Sequence, residues 1–411
     1  MGLCSNPVGI RKVTSSARSA PSAFVLALAV AVLAPGSAVA NPVQAQLKYV
    51  QDFEFDTNPL LLPPNGSTHT GQPTGGKTLY GTIAMPELTL SRSTADSTIS
   101  FDNLFEASRF NLPSYSSLDL HSTLTGKQNW ETSYLSLSGK LDSDTTRNSE
   151  VNNSGLNVAG IRHLGLSLAP EFGYSLTALD QIVIDASFLN ATYGDVALFR
   201  NYVDYSVTPS YQHTFDQRDI GSFIIQASHY NTTSGPQNSA DSIGPALGWQ
   251  RKLTPLISFN VSGGYQLVKT KVAFLGSHTQ YQSFYNLSVQ GALGTRDTLN
   301  LTSSRNVTPE SSGFLITQTS VAVSESHQFS PWLSHTLKIQ YQASDYSTSL
   351  PSYESGYLEA SSNLYYNLTQ RWSLISTFRY RREERIQTPV DGTSAAAIIS
   401  LVFTPRLLNL N

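Results

Sequence analysis

Apolar and polar residues alternate with a period of two along almost the whole chain of 411 residues. Between residues 257 and 267, every second residue is apolar or glycine, and the residues between them are Ser, Asn, Gly and Gln. Because a β-strand directs successive side chains to opposite faces, such a segment forms a strand with one oily and one wet face. Turn residues interrupt the alternation roughly every 18 to 20 residues. The pattern predicts a fold of many long strands joined by turns.

The interruptions alternate between short and long. The short turns lie at 91–95, 125–129, 177–180, 216–219, 254–255, 294–296, 330–331 and 369–371. The longer loops lie at 59–78, 110–114, 146–160, 194–200, 234–238, 272–277, 306–313, 347–352 and 386–393. They separate about eighteen strands, from 47–56 to 394–404, and a count of about sixteen stays open because strand bounds read from sequence err by a few residues. Since bacterial barrels close with an even strand number and have short turns on one side only, we predict an all-β, transmembrane up-and-down antiparallel β-barrel.

The composition favours a membrane barrel over a soluble fold. Charged residues make up 13% of the chain and hydrophobic residues 40%, and this charged fraction is about half that of an ordinary soluble domain. A soluble β-sandwich of this size would carry more Lys and Glu on its wet faces. The 20 Tyr, 18 Phe and 4 Trp argue against disorder. The net charge of −3 provides no basic field, so nucleic acid is not an expected partner.

The chain begins with the pattern of a secretory signal peptide. Basic residues precede an apolar run at 23–34, and the small residues Ala38 and Ala40 then stand at the cleavage positions. The run is shorter than the roughly 20 residues that a spanning helix needs. Cys4, the single cysteine, precedes the run, so the processed chain has no cysteine chemistry. We predict three regions: a signal peptide at 1–40, an outer-membrane β-barrel at 41–404 and a short C-terminal tail at 405–411.

Four prolines recur at one level of the predicted barrel. Pro86, Pro170, Pro209 and Pro245 each lie several residues before a short turn, in strands that descend toward the periplasm. Because proline donates no ladder hydrogen bond, their recurrence predicts a row of bulges, or of strands that begin at the proline. The last three are 39 and 36 residues apart, about one hairpin per step. This spacing indicates a chain built by hairpin repetition.

Several segments resemble a known family of bacterial outer-membrane barrels. They are "FEFDTNP", "LYGTIAMPELTLSR", "LDSDTTRNSEVNNSGLNVAGIRHLGLSLAPEFGYSLTALD" and "NVTPESSGFLITQTSVAVSESHQFSPWLSHTLKIQYQASDY". They look like the β-barrel porin 2 family, and the resemblance covers most of the chain after residue 40. It implies a location in the bacterial outer membrane, and it suggests polysaccharide export as a candidate role because members also occur beside exopolysaccharide systems. Outer-membrane proteins commonly end in an aromatic residue, whereas here eight residues follow Phe403, the candidate assembly signal.

The polar faces of the last strands would line the lumen. The candidate pore-lining residues are Gln282, Asn286, Gln290, Lys338, Gln340, Glu359, Arg379 and Arg381. An amide- and hydroxyl-rich wall with few charges replaces part of the hydration of a polar solute, although the same residues would also simply keep a wet wall satisfied. Tyr366, Trp372 and Tyr380 have the positions expected of an aromatic girdle at the membrane interfaces.

The leading hypothesis for function is an outer-membrane pore for small hydrophilic solutes or for glycan passage. The alternative is a barrel that anchors an exopolysaccharide export or secretion complex. A hydrolase is a third hypothesis with less support, because the eight histidines include no His-x-x-x-His pair and no serine elbow, and we expect His163 and His335 to be solvated or interfacial. We expect no cofactor or metal. The expected partners are outer-membrane lipid, the barrel assembly machinery and, as further candidates, polysaccharide or periplasmic export proteins.

Overall fold

The computed structural model describes residues 42–61, 77–146, 160–196, 199–273, 276–345, 354–385 and 390–410. The predicted signal peptide, with Ala38 and Ala40, lies outside these ranges, so the signal peptide and the domain bounds stay predictions. No helix in the described ranges is long and apolar enough to cross a membrane.

The described residues form nineteen strands of one sheet and a short 3₁₀ helix at Pro113–Tyr115. The strands are β1 Val43–Asp56, β2 Leu79–Ser93, β3 Ser97–Phe110, β4 Leu118–Asn129, β5 Ser133–Thr145, β6 Arg162–Ser175, β7 Asp180–Tyr193, β8 Tyr202–Thr214, β9 Asp219–Thr232, β10 Ser239–Thr254, β11 Ile257–Val272, β12 Gly276–Ala292, β13 Asp297–Pro309, β14 Leu315–Ser330, β15 Leu333–Asp345, β16 Glu354–Asn367, β17 Trp372–Arg385, β18 Val390–Phe403 and β19 Leu408–Leu410.

The sheet closes on itself. Each strand from β1 to β17 pairs antiparallel with the next, and β18 pairs with β1 from Tyr49 opposite Phe403 to Asp56 opposite Ala396. The predicted closed antiparallel barrel of eighteen strands is therefore confirmed. The short strand β19 lies within the predicted tail and pairs with Val43–Ala45 of β1, next to the end of β18.

The short turns all lie at one end of the barrel, as predicted, with one clear displacement. The sequence suggested a turn at 125–129, but β4 continues to Asn129, with Lys127 and Gln128 opposite Thr98 and Ser97 of β3. This prediction was wrong because a polar run was taken for turn chemistry. Close to the rim of a barrel both faces of a strand are wet, so the alternation of apolar and polar residues fades before the strand ends.

The two faces of the wall have opposite character. On β1, the side chains of Leu47, Phe53 and Phe55 have relative exposures of 51, 54 and 49%, whereas Glu54 and Asp56 face a cavity inside the barrel. The unbroken register carries the same alternation to the neighbouring strands. A band of exposed large apolar side chains around a closed barrel is stable in lipid rather than in water. The chain is a transmembrane β-barrel of the bacterial outer-membrane type.

The four recurrent prolines do not form bulges, and none of their strands begins at the proline. Pro86, Pro170, Pro209 and Pro245 all lie inside strands, and the register is the same before and after each of them. The ladder to the following strand is interrupted at each proline and at the residue before it. A missing N–H removes ladder bonds without shifting the strands, which explains why the predicted bulges are absent at these four sites.

Candidate functional site

A cavity of about 660 Å³ occupies the lumen against β1–β8 and β16–β18. The carboxylates among its lining residues are Asp52, Glu54, Asp56, Glu106, Asp142, Asp144 and Glu359. The permanent cations are Lys140, Arg379 and Arg381, and the histidines are His121 and His163. Seven acids thus face three permanent cations, so the lining is acidic even when both histidines are protonated.

An ion-pair cluster crosses the line where β18 meets β1. The Nη2 atom of Arg381 lies 2.5 Å from Oδ2 of Asp56, and Nη2 of Arg379 lies 2.9 Å from Oε1 of Glu54. Both arginines belong to β17 and both acids to β1, so the side chains span the intervening strand β18. Asp56 is 1% exposed, so the contacts of its carboxylate with Arg381 and, at 3.6 Å, with Nη2 of Arg379 offset the cost of its burial.

The sequence of β18 makes room for this cluster. The lumen-facing residues opposite Arg379 and Arg381 are Ala396 and Ser394, and both are small and buried. The Ser394 hydroxyl donates a hydrogen bond to Asp56, and the backbone N–H of Asn58 donates another at 2.9 Å. Larger residues on β18 would block the arginines from reaching β1.

Two histidine–aspartate pairs line the opposite side of the cavity. Nδ1 of His121 lies 2.7 Å from Oδ1 of Asp142, which also contacts Nζ of Lys140 at 2.9 Å. Nδ1 of His163 lies 2.8 Å from Oδ1 of Asp144, and His163 is 7% exposed. The expectation that His163 is solvated or interfacial was therefore wrong, because the residue lies at the start of β6 with its ring turned into the lumen.

An apolar cluster, called the mouth cluster below, lies in the lumen near the long loops. Its buried members are Ala191, Tyr193, Phe199, Tyr202, Tyr230, Ala240, Val268 and Leu315. The rings of Tyr193 and Phe199 are stacked with centroids 5.4 Å apart. Phe199 follows β7 and precedes β8, so the chain at Phe199 lies on the lumen side of the wall. The two longest loops, at 59–78 and 146–160, lie largely outside the described residues.

All eight predicted pore-lining residues lie on the lumen side of their strands by register. Glu359, Arg379 and Arg381 line the cavity, whereas the other five lie on β12 and β15, away from its described lining. These five are Gln282, Asn286, Gln290, Lys338 and Gln340. Glu359 is opposite Arg381 in register and accepts a hydrogen bond of 2.8 Å from the Tyr357 hydroxyl.

Sequence reasoning missed the acidic side of the site. The alternation along β1 and β5 already placed Asp52, Glu54, Asp56, Asp142 and Asp144 on polar faces. Their convergence with Arg379 and Arg381 depends on closure between β18 and β1, which joins residues 325 positions apart. A count of acids on the polar faces of the early strands was the available signal.

The predicted girdle residues face lipid. Trp372 and Tyr366 are outward next to the turn between β16 and β17, and the Trp372 ring lies 4.6 Å from the ring of Phe403. Tyr380 is outward toward the other end of β17. Phe403 ends β18, and its role as an assembly signal stays a prediction.

In the turn between β8 and β9, backbone N–H groups of Arg218 and Asp219 donate to Asp216 and lower its pKa.

Comparisons with known proteins yield structural likenesses only. No family model and no curated protein matches the chain, so the β-barrel porin 2 resemblance stays a prediction. Among solved structures, the ferric citrate transporter FecA in the unliganded form is similar with 9% identity and a TM-score of 0.45, over 85% of this chain and 61% of FecA. The chain thus spans about three fifths of that protein's length.

Two porin-sized structures are similar over nearly their whole length. The outer membrane channel DcaP of Acinetobacter baumannii has 13% identity and a TM-score of 0.42, over 90% of this chain and 99% of DcaP. A BenF-like porin from Pseudomonas fluorescens Pf-5 has 11% identity and a TM-score of 0.44, over 90% and 99%. At these identities and scores, the likenesses assign neither a family nor a solute to this chain.

Proposed function

We propose that the protein is an outer-membrane pore for small hydrophilic solutes and that it favours cations over anions. The observation that carries the proposal is the acidic excess of the lumen cavity, where seven carboxylates face three permanent cations. Charges of one sign that line a channel with low-dielectric walls raise the local concentration of the opposite ion. Hydroxyl and amide groups on the remaining lumen face supply partial hydration to neutral polar solutes.

The test is a reversal-potential measurement across a planar bilayer with a salt gradient. We expect the purified barrel to give discrete conductance steps and a reversal potential of the sign for cation preference. The double variant Asp52→Asn/Asp142→Asn removes two lumen charges and moves the potential toward zero. Asp241→Asn is the matched control, because Asp241 lies on the outer face. An intact barrel that never conducts contradicts the pore, and equal potentials for both variants contradict the charge argument.

Glycan passage is the second part of the proposal, and the same recordings test it. An oligosaccharide that enters the lumen blocks the current for a measurable time, and the block changes when the lumen acids are neutralised. The anchoring alternative expects co-purification with periplasmic export proteins and no conductance. The partners involved, a polysaccharide in the first case and periplasmic export proteins in the second, stay predictions from the sequence. So does the barrel assembly machinery as a partner.

One contact gives the hydrolase alternative a specific test. Nε2 of His335 lies 2.8 Å from the Ser362 hydroxyl on the lipid-facing side of β15 and β16. A histidine that removes a proton from a serine is the start of nucleophilic hydrolysis. Hydrolysis of phospholipid by the purified barrel that disappears in Ser362→Ala would favour the enzyme, whereas equal rates in both proteins would discard it.

A further inference from the structure

The β12–β13 seam is paired along only part of its length. Its ladder runs from Ala292 opposite Thr298 to Tyr285 opposite Arg305. Beyond that point β12 continues to Gly276 paired only with β11, and β13 continues to Pro309 paired only with β14. Two strand edges therefore face each other without a ladder over residues 281–284 and 306–309.

The tip of the β13–β14 hairpin is docked inside the mouth of the barrel. The backbone N–H of Arg200 donates to the Ser311 carbonyl at 2.7 Å, and the Asn238 side-chain amide donates to the Gly313 carbonyl at 2.9 Å. Arg200 precedes β8 and Asn238 precedes β10, so the tip reaches past β11 and β12 to make these contacts. The loop at 310–314 thus folds inward.

The packing of β13 shows that its upper part has left the wall. Val307 lies on the lipid-facing side of β13 by register, together with Leu301 and Arg305. Leu315, on the same face of the hairpin as Val307 by register, is nevertheless a buried member of the mouth cluster, and Val307 packs against that cluster. An outward side chain contacts lumen-facing residues of the wall only when its strand lies inside that wall. The hairpin therefore occupies the lumen, and the edge of β12 is left behind.

Four buried polar atoms on the hairpin and on strands that contact it have no hydrogen-bond partner among the described residues. They are Tyr230 Oη, Gln280 Nε2, Arg305 Nε and Thr317 Oγ1. Buried polar groups without partners raise the free energy of a conformation, which offsets part of the gain from burying Val307 and Leu315.

We propose that the upper part of the β13–β14 hairpin is a gate with a docked and a wall position. In the wall position the existing register continues, so that Asn306 pairs with Phe284 and Val307 with Ser283. Pro309, which has no N–H to donate, ends the extension opposite Tyr281. Val307 then faces lipid again, and the mouth is wider by the volume of the tip. The gate rests on the proposed pore for its effect on current, but not for its movement.

Two engineered disulfides separate the positions, in a chain that carries Cys4→Ser to remove its single cysteine. Arg200→Cys/Ser311→Cys holds the tip in the docked position, because the backbones of these residues are hydrogen-bonded. Ser283→Cys/Val307→Cys joins two residues that are opposite each other only in the wall position. Val289→Cys/Leu301→Cys is the control, since these residues are opposite each other in the paired part of the same seam.

We expect both gate pairs to oxidise in the folded barrel. The oxidised 283–307 protein conducts at least about twofold more than the oxidised 200–311 protein, reduction makes the two equal, and the control conducts equally in both redox states. A 283–307 pair that stays reduced while the control pair oxidises overturns the gate, as do equal conductances of the two oxidised gate proteins. If the 283–307 pair oxidises but no protein conducts, the hairpin movement stands and the proposed pore fails.

Discussion

Two seams of this barrel have ladders of the same length but differ in the side-chain contacts that cross them. The β18–β1 seam and the β12–β13 seam each pair eight residues per strand. Across the first, Arg379 and Arg381 reach over β18 to bind Glu54 and Asp56. Across the second, the side-chain hydrogen bond found among the described residues joins Ser303 to the Tyr285 hydroxyl at 3.4 Å, a distance at which such a bond is weak. Backbone pairing alone therefore does not decide which seam stays closed.

The difference follows from what else holds each seam together. β12 and β13 are consecutive strands joined by a short turn, so the chain keeps them together at the periplasmic end. β18 and β1 are the two ends of the sheet and have no connection of this kind. Across the β18–β1 seam, here called the closing seam, buried side-chain pairs hold the two strands together as a turn does between consecutive strands. The β12–β13 seam is held at one end by its turn and does not need such pairs. Its two strands can therefore separate at the end far from the turn.

Removing the closing-seam arginine should have the largest effect. Arg381→Ala removes the closest cation of buried Asp56 and leaves Arg379 at 3.6 Å, and we expect the free energy of unfolding to fall by about 3 kcal/mol. Urea titration in lipid vesicles, followed by tryptophan fluorescence, measures this. Arg382→Ala is the matched control, because Arg382 lies on the outer face and pairs with Glu384, so about 0–1 kcal/mol is expected. Equal losses in both variants would contradict the role of the cluster.

A side chain at Gly392 should also weaken the closing seam. A Cβ there would clash with the Leu61 carbonyl oxygen, which belongs to the segment after β1. We expect Gly392→Ala to displace that segment and to lower the free energy of unfolding by about 1–3 kcal/mol. Gly263→Ala is the control, because its Cβ finds its nearest atoms at 3.4 Å. The same titration should show a change within about 0.5 kcal/mol for the control.

Truncation after Thr404 tests how much the tail stabilises the periplasmic end of the closing seam. It removes β19, which pairs three residues with Val43–Ala45 of β1. At roughly 0.2–1 kcal/mol per cross-strand pair, the expected loss of unfolding free energy is about 0.6–3 kcal/mol. Heat-modified mobility in SDS gels and urea titration report the loss. A truncated barrel that no longer folds would mean that the tail does more than extend β18.

The smallest effect is expected at the β12–β13 seam. Tyr285→Phe removes its weak hydrogen bond to Ser303, and we expect the free energy of unfolding to change by about 0.5 kcal/mol or less. Tyr265→Phe, at an exposed outward tyrosine on β11, is the matched substitution. Urea titration of the two variants side by side gives the difference. A loss above about 2 kcal/mol for Tyr285→Phe alone would show that this seam is reinforced after all.

The wall was more predictable from the sequence than its contents. Alternation and turn chemistry are local signals, so they placed eighteen strands and their faces, including those of Arg379 and Trp372. The cavity depends on contacts that bring Asp56 next to Arg381, which no local pattern specifies. The docking of Ser311 and Gly313 on Arg200 and Asn238 was equally invisible, because the sequence predicted only a loop at 306–313, whereas β13 continues to Pro309, and no local pattern shows which way a loop folds.

The closing seam also fixes an order of events during folding. Its ion pairs join residues 325 positions apart, whereas Tyr285 and Arg305 are neighbours across one hairpin. By the logarithmic dependence of loop closure on length, the first contact is harder to make by roughly 2–3 kcal/mol of chain entropy. The hairpins therefore form early and the strongest lateral bond forms last. Until then both ends of the sheet are open, and the nascent barrel is most exposed to wrong partners just before it becomes most secure.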